Sequence, residues 1–458
     1  MIKRISTLFL LFTLLITLGL GCNGSSEAER LANTPVTLTI WRVFDDDSTF
    51  TGLMTRYRAL HPNVSFSYRE LRYDEYQDEL LQAFAEGTGP DIFSLHNTWI
   101  GQYKNLLLPM PETVTIPYSE ERGSIKKEIV YTLVEDPTMS TRELETKFID
   151  VVAGDVIRNY QATTRSAIEE KIYGLPLSVD TLVLFYNKDL LNAAGIAEPA
   201  ITWNEFQDQV AKLTLIDRNN NILQAGAALG TSENVERSFD ILSLLMMQNG
   251  TEMTGSRGTA TFGTVTGDIS PGMQAVTFYT DFANPLKQVY TWNDEQTNSF
   301  DAFVSGQAAY FFGYSYHLPL IEAVAEKLNY STAPIPQIEG GQTVNYANYW
   351  VEGVAKATDH EDWAWDFILY ATDEKNVTSY LSMAKRPTAL RSLVNNQLDD
   401  EDLTVFASQL LTAKSWYQGN DAGVTEEAFA ELIDNTISGK VELSRAIKDA
   451  QNKVNQTY

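Results

Sequence analysis

Val36-Thr-Leu-Thr-Ile-Trp-Arg-Val43 alternates in character: Val36, Leu38 and Ile40 share one face, Thr37, Thr39 and Trp41 the other. A period of two predicts a strand with a covered side. Phe50, Leu53, Met54, Tyr57 and Leu60 follow at helical spacing, and His61-Pro62-Asn63 ends that helix, because proline disfavours helix at the residue before it. Val64, Phe66 and Tyr68 predict a second strand, and Tyr73, Tyr76, Leu80 and Phe84 a second helix stopped by Gly87-Thr-Gly-Pro90. Asp91-Ile-Phe-Ser-Leu95 predicts a third, short, buried strand. Strand–helix–strand–helix–strand order implies an α/β lobe with a mostly parallel sheet. Ligands in such sheets sit beyond the carboxyl ends of the strands, which directs attention to the loops after Trp41 and Leu95.

Residues from about Glu112 to Lys171 carry a proline-flanked turn and many charges, and read as an insertion with two helical pieces, Arg142–Asp150 and Asp155–Glu170. Ile172 to Asn187 is long and β-rich enough to run between two sheets. Thr202-Trp-Asn-Glu205 forms a capping box, with Trp203, Phe206, Val210 and Leu213 as the buried stripe of the helix behind it. Asp217-Arg-Asn-Asn-Asn221 lacks the glycine and the distal glutamate of a calcium loop and reads as a β-turn. Further helices are expected at Phe239–Gln248, Gly272–Phe282, Glu361–Tyr370, Asp402–Leu411, Glu426–Ile437 and Val441–Val454, with strands at Ala308–Phe312 and Val351–Ala355.

The 458 residues, 44% hydrophobic, suffice for two packed domains. A net charge of −26 repels phosphate backbones and anionic lipid, which argues against nucleic acid as a partner. At the N-terminus Lys3 and Arg4 precede an apolar run from Leu8 to Leu20 that is short for a membrane span and reads as an export signal. Directly behind it stands Cys22, the chain's one cysteine, which leaves no disulfide to form. This arrangement resembles the bacterial lipoprotein signal, although Gly19 stands where such signals usually carry leucine. It implies a signal peptide over residues 1–21, lipidation at Cys22, membrane attachment through that lipid and a flexible tether over residues 22–35.

Four stretches carry a second resemblance: Leu38-Thr-Ile-Trp-Arg-Val-Phe-Asp45, Gly87-Thr-Gly-Pro-Asp-Ile92, Tyr173-Gly-Leu-Pro-Leu-Ser-Val-Asp180 continuing into Leu184-Phe-Tyr-Asn-Lys-Asp-Leu190, and Phe303-Val-Ser-Gly-Gln-Ala-Ala309 with Gly313. Together, over nearly all of the mature chain, they resemble the extracellular solute-binding proteins of ATP-driven (ABC) importers, the carbohydrate-type group that includes maltose-binding proteins. The resemblance implies a two-lobed periplasmic-binding-protein-like fold, each lobe a mostly parallel sheet flanked by helices. Residues 36–181 and 307–352 would form lobe 1, and 182–306 and 353–458 lobe 2, with crossings near Asp180–Phe185, Gln307 and Val351–Lys356. It also implies a monomer that clamps a small-molecule solute, a sugar or oligosaccharide, and docks on permease subunits, with no cofactor and no metal.

Candidate ligand-binding residues follow the matching motifs. Asp45 occupies the place of a sugar-binding acid, with Asp46 and Asp47 beside it. Asn97, Thr98 and Trp99 follow the third strand, where maltose-type members carry Asp-Arg. Asp180 replaces a hinge glutamate, and an acid in a long apolar strand needs a partner. Tyr314 and Tyr316 stand where tryptophans stack on sugar in the family. The residue types also make independent sense, because aromatic planes cover the C–H faces of sugars while carboxylates and amides take their hydroxyls. Among the 8 tryptophans, Trp41, Trp350 and Trp416 lie near strand ends or loops and join the candidates. Arg237 heads an apolar helix and suits either a ligand or an ion pair. His96 and His317 fall near the expected cleft, whereas His61 and His360 read as solvated.

Two other function classes are open. A secreted glycan hydrolase would use a carboxylate pair, which this many acids permit, but the chain contains no HExxH, GxSxG or P-loop string. A structural envelope lipoprotein would need no cleft. A binder of a non-sugar solute, such as a polyamine or a phosphorylated polyol, is the variant nearest to the sugar receptor.

Overall fold

The computed structural model describes residues 26–45, 47–124, 127–264 and 270–458. The signal segment, Cys22 and Asp46 lie outside them, as does the side chain of Asp47. Among the described residues no helix is long and apolar enough to cross a membrane.

Two five-stranded sheets define two lobes. In the first, the order is Val64–Leu71, Val36–Val43, Ile92–His96, Trp350–Ala355 and Leu107–Leu108. Its first three strands are parallel, as the strand–helix alternation requires, while Trp350–Ala355 runs antiparallel beside Ile92–His96. In the second, the order is Leu215–Ile216, Ile222–Ala227, Ala308–Gly313, Val183–Asn187 and Tyr330–Ala333. Ile222–Ala227 and Ala308–Gly313 are parallel, and Val183–Asn187 is antiparallel to both of its neighbours. Between the lobes lies a three-stranded sheet of Ala413–Lys414, Asn345–Asn348 and Asp180–Thr181. Two lobe-to-lobe passages of the chain run through Asp180–Thr181 and Asn345–Asn348 of this sheet.

This topology corrects the expected lobe boundaries. Ala308–Gly313 belongs to the second lobe, registered from Val183↔Gly313 to Tyr186↔Tyr310, and Trp350–Ala355 is an interior strand of the first. Glu361–Thr372 and Glu374–Ala384 are lobe 1 helices: Tyr57 donates to Asp366 at 2.6 Å and Arg56 to Ser379 at 2.6 Å. Ala422–Ser438 and Leu443–Asn455 pack on lobe 2. The passages therefore fall near residues 181–183 and 345–350, and between Ala384 on lobe 1 and Leu403, which with Phe406 packs against Phe185 and Phe311 of lobe 2, rather than near Gln307 and Val351–Lys356. Each strand is legible as a strand, but the antiparallel partner that places it in its lobe is more than a hundred residues away in the chain.

Of the two helices expected in the insertion, the first is present as Thr141–Lys147, whereas the second is largely replaced by β-structure. Thr113–Arg122 and Glu128–Pro137 form a long hairpin, and Asp150–Val156 is a helix that gives way to a second hairpin, Ile157–Tyr160 with Glu169–Ile172. Charged Arg158, Glu169, Glu170 and Lys171 hide the alternation in those four-residue strands. The tether also departs from expectation. Glu27–Asn33 is helical, capped by the Ser26 hydroxyl at 3.1 Å, buries Ala28, and packs on the long hairpin. The capping box at Thr202 and Glu205 is present, and Asp217 closes its turn by accepting from the amides of Asn219 and Asn221.

Candidate ligand-binding cleft

A cavity of about 400 Å³ opens between the lobes against the hinge sheet. From lobe 1 the loop after the first strand supplies its floor. Phe44 takes a left-handed backbone conformation (φ 70°), which turns its ring outward, 51% exposed, and sends Asp45 back into the protein. Such a conformation is uncommon for a non-glycine residue and clusters at functional sites.

Asp45 is buried in a charged network. Its Oδ2 accepts from the Tyr380 hydroxyl at 2.7 Å and lies 2.9 Å from Arg42 Nη2, while Arg386 approaches Oδ1 at 4.0 Å. Arg42 is also 3.1 Å from Glu352 on the neighbouring strand, and its guanidinium lies over the Phe50 ring at 4.4 Å. Burial pushes the Glu352 carboxyl up, opposed by Arg42 and by hydrogen bonds from Ser94. These two buried charge types tolerate desolvation because each is paired and hydrogen-bonded.

Asp180, on the first hinge strand, faces the same cavity. Its Oδ2 accepts from the Ser315 amide at 2.8 Å and hydroxyl at 2.6 Å, and Oδ1 from the Thr181 amide at 2.9 Å. Burial dominates its titration and raises it to about 6, against the lowering effect of those donors and of Arg386. Tyr314 and Tyr316 line the cavity from lobe 2; Tyr314 donates to Asp240 at 2.6 Å. Asp240 also receives Arg237 Nε and Nη2, both at 2.8 Å, and the Asn348 amide at 3.0 Å. Arg237 thus both borders the cavity and forms an ion pair. Asn348 in turn faces His96 Nε2 at 3.0 Å, and His96 Nδ1 meets the Thr98 hydroxyl at 2.7 Å, so a hydrogen-bond chain runs from lobe 1 through the hinge to lobe 2. Burial lowers the His96 imidazole to about 4, which keeps it neutral.

Aromatic rings complete the cleft. Phe44 lies near Tyr73 at 6.0 Å, Tyr316 at 6.2 Å and Trp350 at 5.9 Å, the last edge-on. Trp99 sits behind Trp350, edge to face at 5.2 Å, and is buried as its support rather than lining the cavity. Thr98 is likewise buried, in contact with His96.

Three candidates lie elsewhere. Trp41 is on the outer face of its strand under the Arg69 guanidinium, 4.7 Å from the ring. Asn97 turns to the buried Asp155, donating at 2.9 Å. Trp416 is in the lobe 2 core among Phe239, Phe262 and Phe429, with its indole N–H on Ser243 at 3.0 Å. All three are corrections with one cause: strand-end position does not reveal which way a side chain points. His61 is corrected too, being buried between Tyr57 and Trp363, with its titration lowered to about 4 by burial. Conversely, Phe44, Tyr73, Arg42, Glu236 and Arg386 border the cavity without having been singled out. A signal existed for Arg42, a charge in an apolar strand three residues before Asp45.

This geometry offers two polar walls, flat rings and a hinge, and among the described residues no group of three or more His, Cys, Asp or Glu is arranged to hold a metal. Comparison with known proteins agrees with the architecture. The maltodextrin-binding protein MdxE of Bacillus subtilis (strain 168) is 25% identical over 303 residues, 63% of this chain and 67% of that protein. The galactooligosaccharide-binding protein of the same organism is 20% identical over 399 residues, 86% of this chain and 83% of its own. The cyclic α-maltosyl-1,6-maltose binding protein from Arthrobacter globiformis superposes with a TM-score of 0.69 at 17% identity, covering 92% of this chain and 99% of that one. A family model, bacterial extracellular solute-binding protein, matches residues 52–404, and the chain belongs to that family.

Proposed function

We propose that this protein is an extracytoplasmic receptor that captures a carbohydrate between its lobes and delivers it to the permease of an ABC importer, without chemistry on the solute. The observation that carries this reading is the cleft itself: a cavity of about 400 Å³ at a three-stranded hinge, walled by Phe44, Tyr73, Tyr316 and Trp350 and edged by Asp45 and Asp180. Flat apolar faces beside fixed carboxylates match the C–H faces and hydroxyl rims of a sugar. The similar Bacillus subtilis proteins, one maltodextrin-binding and one galactooligosaccharide-binding, support the same class. Cys22 carries the lipid that holds the receptor at the membrane, and the working form is a monomer.

Binding is coupled to closure because ligand touching both lobes favours the state in which both sets of contacts exist. Thermal melting against a panel of neutral oligosaccharides tests the reading. One ligand class should raise Tm progressively with the logarithm of its concentration above Kd, with the solute recovered intact. Cleavage products would instead favour a hydrolase, and no shift with any sugar would sink the carbohydrate assignment.

A further inference from the structure

Ser315, Tyr316 and His317 are consecutive, and each has a separate task at the cleft. Ser315 holds Asp180 through its amide and hydroxyl, at 2.8 and 2.6 Å. His317 holds Glu236, with Nε2 3.1 Å from Oε2. The Tyr314 amide donates to His317 Nδ1 at 3.0 Å, which leaves the ring proton on Nε2 to donate to Glu236. Between them Tyr316 lines the cavity, its ring stacked on that of His317 at 4.1 Å and within electrostatic reach of Arg237 and of the Glu236, Asp240 and Asp180 carboxylates. Three successive residues therefore present one cavity-lining aromatic ring, linked to Asp180 through the residue before it and to Glu236 through the residue after it.

The charge census around the cavity is unbalanced. Its three arginines are engaged: Arg42 by Asp45 and Glu352, Arg237 by Asp240 and Glu426, and Arg386 towards Asp45 at 4.0 Å. Four acids already answer three cations, and Asp180 and Glu236 are in addition. Asp180 accepts only neutral hydrogen bonds, with Arg386 acting on it at longer range. Glu236 is bonded to an imidazole and keeps 31% of its side chain exposed. An anion entering here meets surplus negative charge, while an ammonium gains two charge-assisted acceptors. The net charge of −26 acts in the same sense at long range.

From this we infer that the cleft discriminates by charge among carbohydrates, rejecting acidic sugars and favouring a sugar that carries a basic amine, seated between Asp180 and Glu236 beside Tyr316. The inference rests on the carbohydrate reading above and specifies the substrate class.

Calorimetric titration of the intact protein at pH 7.5 tests it with three probes: maltotriose, its analogue with a primary amine in place of one primary hydroxyl, and its analogue with a carboxylate there. The amine form should bind about tenfold tighter than maltotriose, and the carboxylate form about tenfold or more weaker. In Asp180→Asn combined with Glu236→Gln, both near-isosteric, the ratio of amine to hydroxyl affinities should fall towards one. Should that pair not fold, Glu236→Gln alone, at the more exposed acid, should cut the ratio at least threefold. Equal affinity for the three probes, or a preference for the carboxylate, would overturn the inference while leaving the carbohydrate reading intact. Silence with all three would count against both.

Discussion

Phe44 of lobe 1 and Tyr316 of lobe 2 face each other across the cleft, ring centroids 6.2 Å apart and planes within 6° of parallel. The contact joins the lobes directly, and it depends on the left-handed backbone that presents the Phe44 ring. Phe44→Ala should weaken solute binding about 3- to 10-fold, since an aromatic contact contributes about 0.5–1.5 kcal/mol. Titration calorimetry with a carbohydrate that stabilises the wild type reads this. Unchanged affinity would remove Phe44 from the recognition surface.

Asp180 links the hinge to pH. Its folded titration, about 6, lies above the unfolded value of about 3.9, so the folded chain holds the proton more tightly. The resulting stabilisation is full below about pH 3.9 and is lost as pH rises through 6, a swing on the order of 2–3 kcal/mol. Asp366, also raised to about 6, slopes the same way, whereas His61 and His96, lowered to about 4, slope the opposite way. The informative quantity is therefore the difference between wild type and Asp180→Asn in urea unfolding at pH 4.5, 6 and 7.5. That difference should move in favour of the asparagine variant as pH rises, and a flat difference would mean that Asp180 does not titrate in this window.

Trp416→Ala separates core from cleft. The indole fills lobe 2 among three phenylalanines and bonds Ser243, so its loss should cost about 3–5 kcal/mol of stability. The affinity of the protein that remains folded should be unchanged within about twofold. A selective loss of affinity at normal Tm would place this tryptophan in the recognition surface after all.

These cases show where sequence reading stops. Local periodicity suffices for the strand Val36–Val43, its helix and the Thr202 capping box, because covered faces and caps are written in neighbouring residues. Which lobe owns Ala308–Gly313 is decided by pairing with Val183–Asn187, a contact that no local pattern encodes. Within the site, Asp45, Asp180, Tyr314, Tyr316 and Trp350 reach the cavity, but Trp41 and Trp416 face away, because rotation about a strand or loop axis depends on packing partners far along the chain. Phe44 was hidden for another reason. Its role follows from a positive φ, and no sequence signal announces one in a phenylalanine.

Cys22→Ser tests the anchor. Only Asn23, Gly24 and Ser25 separate the cysteine from the helix cap Ser26, and the capped helix is docked on the Thr113–Pro137 hairpin. A lipid on Cys22 would accordingly hold this end of lobe 1 close to the bilayer. The serine variant should move from the membrane to the soluble fraction in cell fractionation, and undiminished membrane attachment would rule out lipidation there.

Trp350 should report ligand entry. Of the eight tryptophans it is the one that borders the cavity, half-buried at the end of a lobe 1 strand with Trp99 edge-on behind it at 5.2 Å. Trp203, Trp292, Trp363, Trp365 and Trp416 are buried in cores, and Trp41 lies under Arg69 on the outer side. A solute that covers Trp350 removes water from its ring, so fluorescence should shift on binding in the wild type. Trp350→Phe should lose most of that shift yet keep the fall in radius of gyration by small-angle scattering, because closure draws on contacts from both lobes and not on this ring alone. A full fluorescence change in Trp350→Phe would mean that a different tryptophan senses the solute. Tight binding with no change in radius would mean that the lobes do not close on it.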